Sequence, residues 1–281
     1  MKWKLTSCDI EKMKNLIITL IFISLVACSQ LRQTKKITNS GLTERISYVS
    51  NPDHNDKLCL SEIKRAKIDI EKGKIVFCQR VGFLFGGIRY ESELKELCKQ
   101  NGLVFDFDMI SDVVFEGQTQ GCYGNYMDKV IIEKYGLNFK ENLHKTADSL
   151  YLVRTQLENK TVQYWDCDER PRLPNEIKRT SDELPDIHIA DLDIKETKGD
   201  SGGWPFFDLG FKVEKDSTIT GFYVRSFVSE TDENIKFKDR LFTVAVDYLK
   251  KNYPVWIPGK IKGIPVRTNN NVRIYFVKDK K

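Results

Sequence analysis

Between Trp204 and Val277 the chain sets out strand, strand, helix and strand in that order, and this pattern restricts the possible folds more than any other feature. Phe207, Leu209, Phe211 and Val213 alternate with Asp208, Gly210 and Lys212, which places four apolar side chains on one face of a strand. Glu214-Lys215-Asp216-Ser217 makes a turn and Thr218 to Phe227 a second strand, so the two form a hairpin. Asp239 to Lys251 carries Leu241, Phe242, Ala245, Val246 and Leu249 at helical spacing and stops at Asn252, ahead of Pro254. A turn at Asn269-Asn270-Asn271 leads into a last strand, Val272 to Val277. A half-buried hairpin, one amphipathic helix and a returning strand close a core as helix on sheet, the α+β class.

Helix and last strand are joined by Trp256-x-Pro258-Gly259-Lys260-x-x-Gly263-x-Pro265-Val266-Arg267. In physical terms Trp256 packs the helix end onto the sheet, Pro258 and Gly259 turn the chain, and Gly263 with Pro265 aims the next segment into strand geometry. The string and the element order together resemble the C-terminal domain of TonB-family energy transducers. That resemblance implies a small α+β sandwich that recognises an envelope protein or outer-membrane transporter, whose extended peptide adds a strand to an exposed sheet edge. The edge it implies is Val272, Arg273, Ile274, Tyr275, Phe276 and Val277; the other reading of these residues is a strand inside the sheet. Transducers of that family also keep an uncleaved inner-membrane helix and a Pro-rich arm. This chain places other sequence there, so binding without energy transduction is the expectation.

Met13-Lys14-Asn15 precedes the apolar run Leu16 to Ala27 and then Cys28. The run is well short of the ~20 residues that span a bilayer, so it reads as a cleaved export signal. Leu25-Val26-Ala27-Cys28 resembles the lipobox of bacterial lipoproteins, which implies that Cys28 is acylated and becomes the mature N-terminus, a stable lipid anchor. A plain secretory signal that happens to end in cysteine is the alternative. Asp9 and Glu11 are unusual for the start of a signal, which favours Met13 as the first residue. Ser29-Gln30 lacks the aspartate that resembles an inner-membrane retention signal, so the outer membrane, facing the periplasm, is expected.

The chain thus divides into a signal peptide (1–28), a polar tether (29–43), an N-terminal α+β domain (44–165), a proline- and charge-rich linker (166–200) and the C-terminal domain (201–281). In the N-terminal domain, helices are expected over Ser61–Glu71, Glu91–Gln100, Tyr126–Tyr135 and Lys140 to about Val153. Strands are expected within Lys74–Phe85, over Leu103–Asp108 and over Val113–Phe115. Residues 200–281 hold 15 basic against 10 acidic side chains, a surplus spread out without a cluster, which speaks against nucleic acid as a partner.

Chemistry finds little material. His54, His144 and His188 are the only histidines. No cysteine pair has CxxC spacing, so neither a metal site nor a cofactor is expected, and the chain reads as a binding protein. The five cysteines after Cys28 are Cys59, Cys78, Cys98, Cys122 and Cys167, an odd number of open connectivity that an exported compartment permits to bridge. Asp106 and Asp108 lie two apart on a strand and face one way, either as paired carboxylates or, more simply, as a solvated side. The loop Gly117 to Gly124 surrounds Cys122; paired with His144 it forms the alternative reading, an envelope enzyme with a Cys–His site.

Overall fold

Residues 36–113, 115–175, 186–190 and 203–277 are described by a computed structural model. The signal segment with Cys28, residues 29–35 of the expected tether and most of the expected linker lie outside these residues, whereas residues 36–43 of that tether are helical and not a spacer. The protein is α+β and forms two units, one of residues up to Gly86 plus Lys95–Leu143, the other of Gly87–Leu94 plus His144 onward.

The first unit holds helices α1 (Lys36–Ser50) and α2 (Lys57–Glu71), strand β1 (Val76–Val81), most of α3 (Glu91–Gln100), β2 (Val104–Met109) and α4 (Cys122–Tyr135). Helix α2 begins where the buried carboxylate of Asp56 accepts the Cys59 N–H at 3.0 Å, an N-cap that satisfies an otherwise orphan donor. It ends at Gly73, whose φ of 77° is left-handed, a conformation glycine adopts without side-chain strain. Cys59, Ile63 and Ala66 form its buried stripe. Strands β1 and β2 pair in parallel from Val76↔Val104 to Val81↔Met109, and α3 is the crossover that parallel pairing requires. Val113 and Phe115 are not in a strand, contrary to the periodicity. Local side chains take up this backbone instead: the Val113 N–H donates to Ser111 Oγ at 3.1 Å, and Gln120 Nε2 donates to the Val113 carbonyl at 2.6 Å. A disulfide joins Cys59 to Cys122, whose Cα atoms are 5.2 Å apart, and ties the first turn of α2 to that of α4.

The second unit takes most of α5 (Phe139–Leu157), then β3 (Val162–Gln163), β4 (Asp186–Ala190), β5 (Phe206–Val213), β6 (Ile219–Val228), α6 (Asp232–Ile235), α7 (Lys238–Asn252), β7 (Lys260–Ile261), β8 (Ile264–Pro265) and β9 (Thr268–Val277). Its main sheet has the order β3-β9-β5-β6, with β4 also on β9. Strand β5 pairs antiparallel with β6 and β9, whereas β3 and β4 run parallel to β9. One face is the core: Phe207, Leu209, Phe211 and Val213 of β5 with Val272, Ile274 and Phe276 of β9 meet Leu241, Ala245 and Leu249 of α7. The period-two and helical patterns of the sequence therefore converge on a single layer of apolar contacts.

Two expectations change here. Asn269-Asn270-Asn271 is not a turn; it continues β9 opposite Lys212, Phe211 and Gly210 of β5. Residues 166–175 are not a spacer, because their backbone pairs with the segment after α7. Ile257 N–H donates to the Arg172 carbonyl at 2.8 Å and Lys260 N–H to that of Glu169 at 2.8 Å. The units accordingly divide at 143/144 and around 87–94, upstream of the composition shift.

Candidate functional site

The last strand is not the open edge of the sheet. β9 is paired along both sides: β5 lies on one, while β3 meets Thr268 and Asn269 and β4 meets Arg273 through Val277 on the other. Val272, Ile274 and Phe276 are fully buried in the core. Arg273 is engaged on the opposite face, its Nε donating to Asp208 Oδ1 at 2.7 Å and a second nitrogen to Oδ2 at 3.1 Å. Ser226 of β6 donates to the same carboxylate at 2.7 Å, so three strands share one ion-pair row. The Arg273 hydrogen bond holds the Asp208 carboxyl below the usual carboxylate range, against the opposing effect of burial. Tyr275 stacks on His188 of β4 with centroids 5.2 Å apart. The edge expectation for Val272, Arg273, Ile274, Tyr275, Phe276 and Val277 is thus overturned by β3, two residues long, and by β4, which lies in the stretch expected to be a linker.

Among the described residues the longest open edge of this sheet is β6. Among the described residues it pairs with β5 alone, although it is ten residues long. Its ladder slips between Asp208 and Leu209 and between Gly210 and Lys212, and Gly221 has a φ of 60°. Such bulges twist and re-aim an edge without covering it. Thr220, Tyr223 and Arg225 are exposed along it.

The joining string is scaffold. Trp256 is 1% exposed, lies edge-on to Phe211 with centroids 5.1 Å apart, and donates its indole N–H to the Tyr253 carbonyl just past α7 at 3.1 Å. Pro258 follows in the turn that leads into β7. A Cβ at Gly259 would come within 2.7 Å of the Thr268 methyl and 2.8 Å of the Cys167 sulfur, so the chain passes there only without a side chain. Lys262 and Gly263, with φ of 51° and 75°, form the two-residue turn between β7 and β8, and Pro265 ends β8.

The Cys122–His144 site does not form as a nucleophile with its base. Cys122 is bonded to Cys59, so it has no thiolate to offer, and His144 Nδ1 lies 3.4 Å from the Tyr90 hydroxyl. The free thiols Cys78, Cys98 and Cys167 are buried, and burial pushes each up to about 12. Asp106 is exposed, as a solvated strand side requires, but Asp108 is not. Its Oδ2 is buried with no hydrogen-bond partner among the described residues, and burial raises its carboxyl. Gly124 of α4 makes the room, since a Cβ there would meet Asp108 Oδ2 at 2.5 Å. Both aspartates line a cleft of about 450 Å³ in the first unit, with Glu62, Arg65 and Tyr123 on its helical side.

No periodicity or motif announces Arg89. Its Nε and a terminal nitrogen donate to Asp148 at 2.7 and 3.2 Å, while the other terminal nitrogen donates to Asp168 at 2.6 Å and to the Asp166 carbonyl at 2.7 Å. It fastens α5 to residues 166–168, and Lys262 adds a second cation to Asp148 at 3.1 Å. Burial alone would raise the Asp148 carboxyl; the Arg89 and Lys262 hydrogen bonds outweigh it and hold the group low.

Among the described residues no helix is long and apolar enough to cross a membrane, and no group of three or more His, Cys, Asp or Glu side chains is placed to hold a metal ion. No protein-family model, curated protein or solved structure matches the chain.

Proposed function

We propose that the protein is a lipoprotein of the cell envelope, anchored through Cys28 in the outer membrane, that works by binding and not by catalysis. Its partner is another envelope protein, an outer-membrane transporter among the candidates, and the contact is an extended segment added as a strand along β6. The observation that carries this reading is the free side of β6, a ten-residue edge that is longer than the two- and five-residue strands β3 and β4 at the opposite edge. Unpaired backbone donors and acceptors in a row are a template for a further strand, and they give affinity through main-chain hydrogen bonds. The Cys59–Cys122 disulfide agrees with an exported, oxidising compartment. The resemblance to the TonB C-terminal domain supports the kind of contact, moved from the last strand to the second strand of the hairpin.

Photo-reactive side chains at Thr220 and Arg225, with Tyr275 of β9 as the control, test the reading in intact envelopes. Adducts from both β6 positions to one contiguous segment of one envelope protein, absent from position 275, are expected. Adducts that favour position 275, or none from β6 under any growth condition, would overturn it.

A further inference from the structure

The sheet face turned away from α7 carries a cleft of about 200 Å³, walled by exposed aromatic rings and floored by amides. We infer that this cleft is a binding site for a single pyranose sugar unit. The site shares Tyr223 and Arg225 with the strand proposed above as the edge contact but opens on the face of the sheet, and its lining lies wholly within the second unit.

Its walls are unusual for a soluble surface. Trp165 is 50% exposed and Tyr223 44%, and different elements supply them. Both are held. Tyr164 packs edge-on against Trp165 with centroids 4.9 Å apart, and the Arg170 guanidinium lies 5.7 Å from the Tyr164 ring. The Tyr223 ring lies across Gly210 of the neighbouring strand, where a methyl group would overlap it, so the missing side chain lets the ring lie along the sheet. Rings fixed but left uncovered by the described residues keep apolar faces in water, and such faces stack well on a flat, C–H-rich surface.

The floor supplies the complementary polarity. Gln163, Asn269 and Asn271 line it, and an amide both donates and accepts, as a sugar hydroxyl does. Asn271 is 5% exposed, and its Oδ1 has no hydrogen-bond partner among the described residues. A buried acceptor without a donor is costly, and a ligand hydroxyl would relieve that cost. Among the described residues Arg225 is the one cation of the lining, suited to an acidic substituent, and the lining holds none of the carboxylates that glycoside hydrolysis uses, so a binding site is inferred. Size agrees: the volume is below the 300–1,000 Å³ range of drug-sized pockets, which suits one ring better than a nucleotide or a peptide side.

The test uses the full chain, purified in a zwitterionic detergent with no sugar headgroup, and follows Trp fluorescence and ligand saturation-transfer NMR. The probes are N-acetylglucosamine, its tetramer, glucose and glucuronic acid. A saturable response to at least one probe is expected, with Trp165→Ala weakening it by about tenfold or more. Arg225→Gln should weaken the acidic probe more than the neutral ones. Trp165 is exposed, so its removal leaves the core intact, and an unaltered circular dichroism spectrum verifies this. No saturable response to any probe, or binding equally strong in Trp165→Ala, would overturn the site. A gain for the tetramer over the monomer would locate the sugar in a glycan chain; equal affinities would identify a free monosaccharide.

Discussion

Replacing Cys59 and Cys122 together by alanine is expected to lower the stability of the first unit by about 4 kcal/mol. The bridge spans 63 residues of sequence, and a loop of that length loses much conformational entropy when its ends are tied in the unfolded chain. Both cysteines are fully buried, and the bond joins the starts of α2 and α4, whose apolar stripes enclose β1. Few other constraints replace it, because the sheet of this unit has two strands only. Urea unfolding of the double variant measures the loss, and hydrogen exchange in α2 and α4 locates it. The parent protein in strong reductant should behave like the variant. A loss below about 1 kcal/mol would mean that the bridge closes no loop in the unfolded chain.

Trp256→Ala should cost about 4 kcal/mol, the range found when a buried aromatic is cut back to a methyl group. The ring fills the junction between the end of α7 and β5, against Phe211, and its backbone N–H donates to the Ser217 carbonyl at 3.0 Å. Truncation leaves a cavity and strips the Tyr253 carbonyl of its indole donor. Trp256→Phe keeps most of the packing and loses the donor, so its cost is expected at about 1–2 kcal/mol. Denaturant unfolding of the two variants orders them, and equal losses would show that the hydrogen bond, not the ring volume, holds the junction.

The parts of this fold that were legible in the sequence are those set by local period. Leu241, Ala245 and Leu249 recur at helical spacing, and Phe207 to Val213 alternates, so α7 and β5 could be read directly. Glycines at 73, 102 and 136 mark helix ends because each adopts a positive φ there. What was not legible is pairing. Asn269 to Asn271 read as a turn by composition, yet β5 extends to Val213 and its ladder fixes them as strand. The parallel partners of β9 come from residues 162–163, too short to show a period, and from 186–190, where Ile187 and Ile189 alternate with His188 and Ala190 inside a stretch whose prolines and charges suggest a linker; they convert the expected edge into an interior strand. The disulfide partner of Cys59 likewise depended on which helices meet, which spacing does not encode. Arg89 carries no local signal either; its three acceptors come from α5 and from a stretch whose prolines and charges suggest a spacer.

The aromatic cleft escaped the sequence for the same reason. Trp165, Tyr223 and Asn271 are far apart in the chain, and the register of β9 on β5 and of β5 on β6 gathers them. Gly210 reads as a weak point in a strand, and its use is visible only once Tyr223 lies across it.

Mass spectrometry of the protein extracted from membranes tests the proposal that it is exported and lipid-anchored. The expected result is an N-terminal peptide that begins at Cys28, carries a diacylglyceryl group and disappears in Cys28→Ser, together with a peptide pair linked through Cys59 and Cys122. A peptide that runs unbroken through Ala27 and Cys28, from a protein found in the soluble fraction with Cys59 and Cys122 reduced, would contradict it.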